Sequence, residues 1–295
     1  MHLIFDTDIG TDVDDALALA VLLGSDEITI DLITTVYGDT RLRAQLASRL
    51  ISISGTAKSI PVAAGLAETR SKKPVWWPGH EGALHTNLDH ENIDTTPGVD
   101  AIAQHIQDGA RTILAVGPLA NIAALLDRYP REAAQLDRIV IMGGDFSTER
   151  VPEHNILSDI TAAQRVAASE LPLVIGGLDL TTQIALDHHH VDRISNAGPL
   201  GGALRDEIAQ WWTFHGHEWN NPHDPILAAY LLEPRLFTTE LGRLEVSDDG
   251  RTWFTPDHTG SVTRLVDLDR RAVAELIVER IQQAGAPADN AAAIT

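Results

Sequence analysis

Five aspartates fall within ten residues near the start of the chain, at positions 6, 8, 12, 14 and 15. They follow the apolar run Leu3-Ile4-Phe5 and lead into Ala16-Leu17-Ala18-Leu19-Ala20-Val21-Leu22-Leu23. A strand-length run, a Gly-containing loop and a helix-forming segment gather these carboxylates at the carboxyl end of a strand. Two like charges about 4 Å apart repel by roughly 1 kcal/mol in water and about 4 kcal/mol near a protein surface, so the loop needs a compensating partner. The helix N-terminus supplies one if Asp14 or Asp12 caps it, but one cap uses one carboxylate. For Asp6, Asp8 and Asp15 the natural partner is a hard divalent cation with oxygen ligands; caps and a solvated loop are the plainer alternative.

Two other motifs share this opening. Asp6-x-Asp8-x-Gly10 starts like a calcium-binding helix-loop-helix, but the twelfth loop position, which needs a bidentate Glu, is Leu17. An aspartyl-nucleophile phosphatase also uses Asp-x-Asp after its first strand, and no downstream constellation here requires that chemistry.

The elements that must position these groups alternate along the chain. Residues 28–36 read as a strand, 41–53 as a helix, 61–65 as a short strand, 112–117 as a strand, 118–127 as a turn and helix, and 138–144 and 172–177 as strands. Such alternation predicts an α/β fold, a single domain with a mostly parallel, Rossmann-like sheet and helices on both faces. Ligands then sit beyond the carboxyl ends of the strands, where Asp8 and Asp39 both fall. Residues 67–98 lack periodicity and are rich in Pro, Gly, His and Trp, which in a compact domain marks a functional or mobile segment. A helix is expected over 197–212. It leads into Trp211-Trp212-Thr213-Phe214-His215-Gly216-His217-Glu218-Trp219, an aromatic packing cluster or a ligand surface. Pro225 suits the first turn of a helix over 226–232, which puts His223 and Asp224 at a helix N-terminus. A hairpin around Asp248-Asp249-Gly250, a strand over 262–268 and a helix over 271–283 close a domain spanning 1–284, with 285–295 expected to fray.

Bulk composition excludes several classes of function. Forty-two acidic against 22 basic residues give a net charge of −20, which repels phosphate backbones and anionic membranes, so no nucleic-acid or membrane partner is expected. The absence of cysteine excludes disulfides, thiolate zinc sites and a cysteine nucleophile. Without an apolar signal segment or an apolar run near 18 residues, a cytoplasmic location is expected.

Four blocks in chain order carry a resemblance: Asp6-Thr7-Asp8-Ile9-Gly10 with Asp14-Asp15-Ala16, then Ala115-Val116-Gly117-Pro118-Leu119-Ala120-Asn121, then Glu153-His154-Asn155 after Met142-Gly143-Gly144, and finally His223-Asp224-Pro225. Together they resemble the nucleoside hydrolase family, the inosine-uridine preferring nucleoside hydrolases, from the first residues to the last helix. The resemblance implies calcium-dependent hydrolysis of the N-glycosidic bond of a ribonucleoside to ribose and free base, in nucleoside salvage. It implies Ca²⁺ held by Asp8, Asp15, Asp224 and the backbone carbonyl of Ala120, with a metal-bound water activated by Asp8. It further implies a sugar gripped by Asp14, Glu153 and Asn155, substrate contacts from Met142, Asp39 and His80, and a homodimer or homotetramer. His223 is the candidate acid for the departing base, the alternative being that it only contacts the base while solvent or another side chain donates, and Asp6 is a support for Asp8 or the loop. Oxygen donors suit a hard ion, and a large, flexible shell favours Ca²⁺ over Mg²⁺. The alternatives are a non-catalytic ribose- or nucleoside-binding protein, or a hydrolase of another N-riboside such as a modified nucleoside or nicotinamide riboside.

The chain also departs from the family pattern. Ile9 replaces the usual Pro, and Asp12-Val13 lengthens the loop by two residues. Asp39 stands where Asn is common, which adds negative charge near the sugar. The Asn often found before the Glu-x-Asn block is not evident in Gly144-Asp145-Phe146-Ser147-Thr148-Glu149, and His154 replaces the common Phe, which puts recognition of the substrate's 5′ end in question. Trp76, Trp77, His215, His217 and Trp219 are candidates to stack on a base, and stacking alone does not choose between purine and pyrimidine.

Overall fold

The computed structural model describes residues 1–56 and 59–285. From the N-terminus run β1 (His2–Thr7), α1 (Asp14–Leu23), β2 (Thr29–Thr35), α2 (Thr40–Ser54), β3 (Val62–Ala64), α3 (Gly98–Gln107) and β4 (Thr112–Ala115). There follow α4 (Ala120–Arg128), α5 (Pro130–Ala133), β5 (Arg138–Met142), α6 (His154–Ser158), α7 (Ile160–Ala167), β6 (Leu173–Gly176), α8 (Leu178–Thr181), α9 (His188–Ser195) and α10 (Gly198–His215). The chain ends with α11 (His223–Leu232), β7 (Phe237–Val246), β8 (Thr252–Pro256), β9 (Val262–Leu268) and α12 (Arg270–Ala284).

The nine strands among the described residues join one sheet in the order β3-β2-β1-β4-β5-β6-β9-β7-β8. It is parallel from β3 to β9, and β7 runs antiparallel between β9 and β8. The α/β expectation is met, and the edge hairpin spans more of the chain than the turn signal indicated. From β1 the chain winds outward through β2 and β3, then returns to β4 on the other side of β1. That reversal opens a crevice at the carboxyl ends of β1 and β4, where ligands bind in such sheets.

Alternate residues of β1 face opposite cores. Leu3 and Phe5 join one cluster with α1, α11 and α12, while Ile4 joins the other with α3 and α4. Helix α1 is buried from Asp14 to Leu22, and α11 from Asp224 to Leu231. Helices apolar on all sides belong to the interior, so the two pack together and bring their acidic first turns to the same place. Gly24, just past α1, permits a close approach by α12: a Cβ there would lie 1.8 Å from the carbonyl oxygen of Arg280.

Element limits shift modestly from expectation. Helix α10 runs to His215 rather than residue 212, and α11 starts at His223, with Pro225 inside its first turn. Residues 67–97 hold only a short 3₁₀ turn at Leu88–His90 among their helical elements. The expected fraying of 285–295 falls, but for Gly285, outside the described residues. Among the described residues no helix is long and apolar enough to cross a membrane.

Candidate active site

Beyond β1 and β4 lies a cavity of about 380 Å³. Its acidic side is made by Asp8, Asp12, Asp14, Asp15 and Asp224. The rest of the lining includes Trp76, Met142, Glu153, His154, Asn155, Trp211 and His223.

Asp14, Asp15 and Asp224 converge: one carboxylate oxygen from each lies within 4.8 Å of the others. The expected metal set names Asp8 rather than Asp14. Consecutive first-turn positions of α1 carry Asp14 and Asp15 against the first turn of α11, whereas Asp8 sits on the preceding loop. Its Oδ1 lies over Gly117, where a Cβ would be 2.8 Å away, so only glycine fits beneath it. Ala120 opens α4, packs against Val36 and Tyr37, and does not line the cavity.

The acidic loop is held from several sides. Thr7 Oγ1 donates to Asp15 Oδ1 and accepts from the Ile9 N–H at 3.1 Å. Asp12 Oδ1 accepts the N–H groups of Val13 at 2.6 Å and Asp14 at 3.4 Å, so the inserted aspartate caps the entrance to α1. Asp6 Oδ1 accepts from Thr34 Oγ1 at 2.6 Å and Asn121 Nδ2 at 2.7 Å, while its Oδ2 is buried with no partner among the described residues. Arg43, fully buried in α2, donates to the carbonyls of Asp8, Ile9 and Tyr37.

Burial dominates the electrostatics. It raises the pKa of Asp14, Asp15 and Asp224 well above the usual carboxylate range, and repulsion from neighbouring carboxylates raises them further, from Asp12 and Asp8 on Asp14, from Asp8 and Asp14 on Asp15, and from Asp14 and Asp15 on Asp224. Asp8 is raised by burial and lowered in part by Arg43 and His154. Burial pushes Asp6 up to about 7 despite its two hydrogen bonds, and Asp12 to about 7. His223 is lowered to about 4 by burial alone. So many buried carboxylates require neutralisation, and an all-oxygen donor set suits a hard divalent cation.

Other expected residues divide into those at the cavity and those elsewhere. Both oxygens of Glu153 accept backbone N–H groups, from Asn155 at 2.8 Å, Gly144 at 3.0 Å and Ile156 at 3.1 Å. Asn155 Nδ2 donates to the carbonyls of Val116 at 2.7 Å and Met142 at 3.2 Å, which leaves Oδ1 for a ligand hydroxyl. His223 accepts or donates through Nδ1 with Thr181 Oγ1 at 2.7 Å. Asp39 lies away from the cavity: it is exposed and caps α2 by accepting the Leu42 N–H at 3.0 Å. His80 also lies outside the lining, its Nε2 2.8 Å from the Thr11 carbonyl and its ring against Phe214. Of the aromatic candidates, Trp76 and His215 reach the cavity, whereas Trp77, His217 and Trp219 do not.

Sequence reasoning missed Trp211, Thr11 and Arg43. Arg43 had a readable signal, since it shares a face of α2 with the apolar residues Leu46, Ala47 and Leu50.

The model of the family described as inosine-uridine preferring nucleoside hydrolase matches residues 3–281. The chain is 29% identical to the pyrimidine-specific ribonucleoside hydrolase RihA of Citrobacter koseri over 312 residues, covering 95% of this chain and 98% of that protein. RihA of Salmonella typhi is 28% identical over 308 residues, covering 96% and 98%. Among solved structures, a plant nucleoside hydrolase superposes with a TM-score of 0.85 at 26% identity, over 95% of this chain and 98% of that one. A purine-preferring ribonucleoside hydrolase from Gardnerella vaginalis shares the fold, with a TM-score of 0.84 at 24% identity over 97% and 99%.

Proposed function

The chain belongs to the inosine-uridine preferring nucleoside hydrolase family and is a ribonucleoside N-ribohydrolase, and from that premise we propose a calcium-dependent reaction in which Asp8 activates the attacking water. The observation that carries this reading is the convergence of Asp14, Asp15 and Asp224 beside Asp8 in a buried cavity.

Asp15 and Asp224 are proposed as carboxylate ligands, with Asp8 and the Ala120 carbonyl completing the protein's share. The position of Asp14 within the tight trio supports a role for it at the ion as well as at the sugar. A calcium ion held there would supply Lewis acidity that makes the attacking water easier to deprotonate. Asp8 takes a proton from that water as its oxygen bonds to C1′ of the ribose. The C1′–N bond breaks, its electron pair leaves on the base nitrogen, and that nitrogen takes a proton from solvent, giving ribose and free base. Positive charge grows on the sugar as the bond breaks, and the surrounding carboxylates stabilise it. Asn155 Oδ1 accepts a sugar hydroxyl, and Glu153, held rigid by three backbone donors, lies beside it. His223 serves the departing base. Its lowered pKa favours a neutral imidazole that donates a hydrogen bond to the departing base over the acid role that the resemblance suggested. Met142 and Trp76 form the cavity's less polar walls, and Trp211 is added to the candidates for stacking on the base.

The test is a panel of purine, pyrimidine and modified ribosides, with nicotinamide riboside, assayed for reducing sugar with binding measured beside it. Release of ribose that a strong chelator abolishes and calcium restores is the expected result. Binding without sugar release favours the non-catalytic ribose-binding alternative. A homodimer or homotetramer is part of the proposal, and light scattering after size-exclusion chromatography tests it.

A further inference from the structure

Arg43 is a buried cation that the reaction scheme does not use. It is 1% exposed, and among the described residues it makes no ion pair. Its charge is satisfied by neutral acceptors. Nε donates to the Tyr37 carbonyl at 2.7 Å, Nη1 to the carbonyls of Asp8 and of Ile9, the latter at 2.9 Å, and Nη2 to Thr11 Oγ1 at 3.1 Å. Trp77 covers the guanidinium, with its ring centroid 4.9 Å from Cζ.

Burying a cation in this way costs free energy that a Leu or Met in the same helix face would not, so the placement calls for a compensating role. The acceptors identify that role. Three of them, at Asp8, Ile9 and Thr11, lie in the acidic loop, which is two residues longer than the family's usual form. The fourth is Tyr37, held in a left-handed conformation at φ 69 that a β-carbon disfavours. A planar fork of fixed donors can hold four acceptors in one geometry, whereas a lysine ammonium cannot. The clamp also reaches the irregular segment over the site: Thr11 Oγ1 donates to Glu81 Oε1 at 3.2 Å, and the Thr11 carbonyl meets His80 Nε2 at 2.8 Å. Drawing the Asp8 carbonyl back toward α2 leaves its carboxylate facing the cavity above Gly117.

We infer that Arg43 is a positioning residue that shapes the Asp8–Thr11 loop for metal binding and joins that loop to the segment around Trp77–Glu81. This rests on the metal site proposed above. Its charge also acts on the loop, lowering the pKa of Asp8 and Asp15 against the effect of burial.

The experiment measures calcium affinity by titration calorimetry on chelator-stripped protein for wild type, Arg43→Lys, Arg43→Met and Thr11→Val. Thermal midpoints with and without calcium, and kcat and KM for a nucleoside the wild type cleaves, are taken on the same samples. The expected result is calcium binding weakened roughly 10–100-fold in both Arg43 variants, with a smaller calcium-induced rise in midpoint and kcat falling more than KM changes. Thr11→Val should weaken binding less than either, having lost one acceptor of four. Arg43→Lys and Thr11→Val carry the test if Arg43→Met does not fold. Wild-type calcium affinity in the variants, with midpoints lowered equally in both forms, would make Arg43 a structural residue only and overturn the inference. Absence of calcium binding by the wild type would instead remove the metal reading, and this inference with it.

Discussion

The backbone N–H of Asp224 donates to Oδ2 of Asp14 at 3.4 Å, joining the first turns of α11 and α1 across 210 residues of sequence. Both helices direct the positive end of their dipole into the cavity, which offsets part of the charge gathered there. The offset is incomplete, because the carboxylates of both residues remain raised well above their usual range.

Removing one of these charges should therefore act in opposite directions with and without metal. Asp224→Asn is expected to raise the thermal midpoint of the chelated protein by a few degrees, since about 1 kcal/mol corresponds to roughly 2–4 °C in a domain of this size class. The same variant should lose most of the further rise that calcium gives the wild type. Scanning calorimetry in chelator and in calcium measures both. A midpoint that falls in chelator and still responds fully to calcium would separate Asp224 from the ion.

The pH dependence of the metal-free protein has a defined sign. Asp6 and Asp12 are raised to about 7, above the unfolded value near 3.8, so the folded chain binds more protons than the unfolded chain between those limits. Their contribution to stability is full below about pH 4 and is lost as pH rises through about 7. Asp8, Asp14, Asp15 and Asp224 shift in the same direction. His223, lowered to about 4, acts oppositely but only below its unfolded pKa of 6.5. The urea midpoint of chelated protein should thus fall between pH 6.5 and 8, and saturating calcium should flatten that slope. A chelated midpoint that climbs over this interval would contradict the electrostatic account.

Loss of the Asp8 carboxylate should affect turnover more than binding. General bases contribute roughly 10²–10⁴-fold, so Asp8→Asn is expected to lower kcat by that range while KM for a nucleoside changes only a few-fold. Asp8→Ala should be nearly inactive. Full turnover in either variant would remove Asp8 from the role of base. Calcium titration of the same samples shows whether the loss comes through the ion or through the proton.

How much of this was legible in the sequence depended on how local the determining physics is. Strand β1 and helix α1 were readable because burial on all sides leaves uninterrupted apolar runs, and α11 because Pro225 marks a helix start. The acidic cavity followed from the strand-loop-helix pattern. Which aspartates meet was not readable, since the packing of α1 against α11 sets the phase that brings Asp14, rather than Asp8, into the closest group. The same applies to the adjacent Trp211 and Trp212: helix phase sends Trp211 to the cavity and buries Trp212, whose Nε1 donates to Asn220 Oδ1 at 3.0 Å. Asp39 was expected at the substrate because it falls at the carboxyl end of β2, where the family commonly has Asn, and the same position also serves as the cap of α2. Arg43 is one of three arginines in α2, and its place on the apolar face signals burial, but that it lies beneath the acidic loop follows only from packing.

His223 permits a test of how the base leaves. Its Nδ1 is engaged by Thr181 Oγ1 at 2.7 Å, and burial holds its pKa at about 4. At pH 7 that leaves on the order of one molecule in 10³ with a cationic imidazole, so a mechanism needing the cation would speed up about tenfold per unit as pH falls toward 5. A neutral imidazole with Thr181 donating to Nδ1 instead presents Nε2–H to the cavity, and its contribution is flat between pH 6 and 8. The flat profile is expected for the step His223 controls. His223→Ala should then cost a nucleoside substrate far more than it costs 4-nitrophenyl riboside, whose leaving group departs as a stable anion and gains little from a donor. Thr181→Val, which frees Nδ1 and removes the bias toward the Nε2–H tautomer, should show a weaker form of the same selectivity. Equal losses on both substrates in His223→Ala would mean that the ring only contacts the base and gives the departing nitrogen no hydrogen bond.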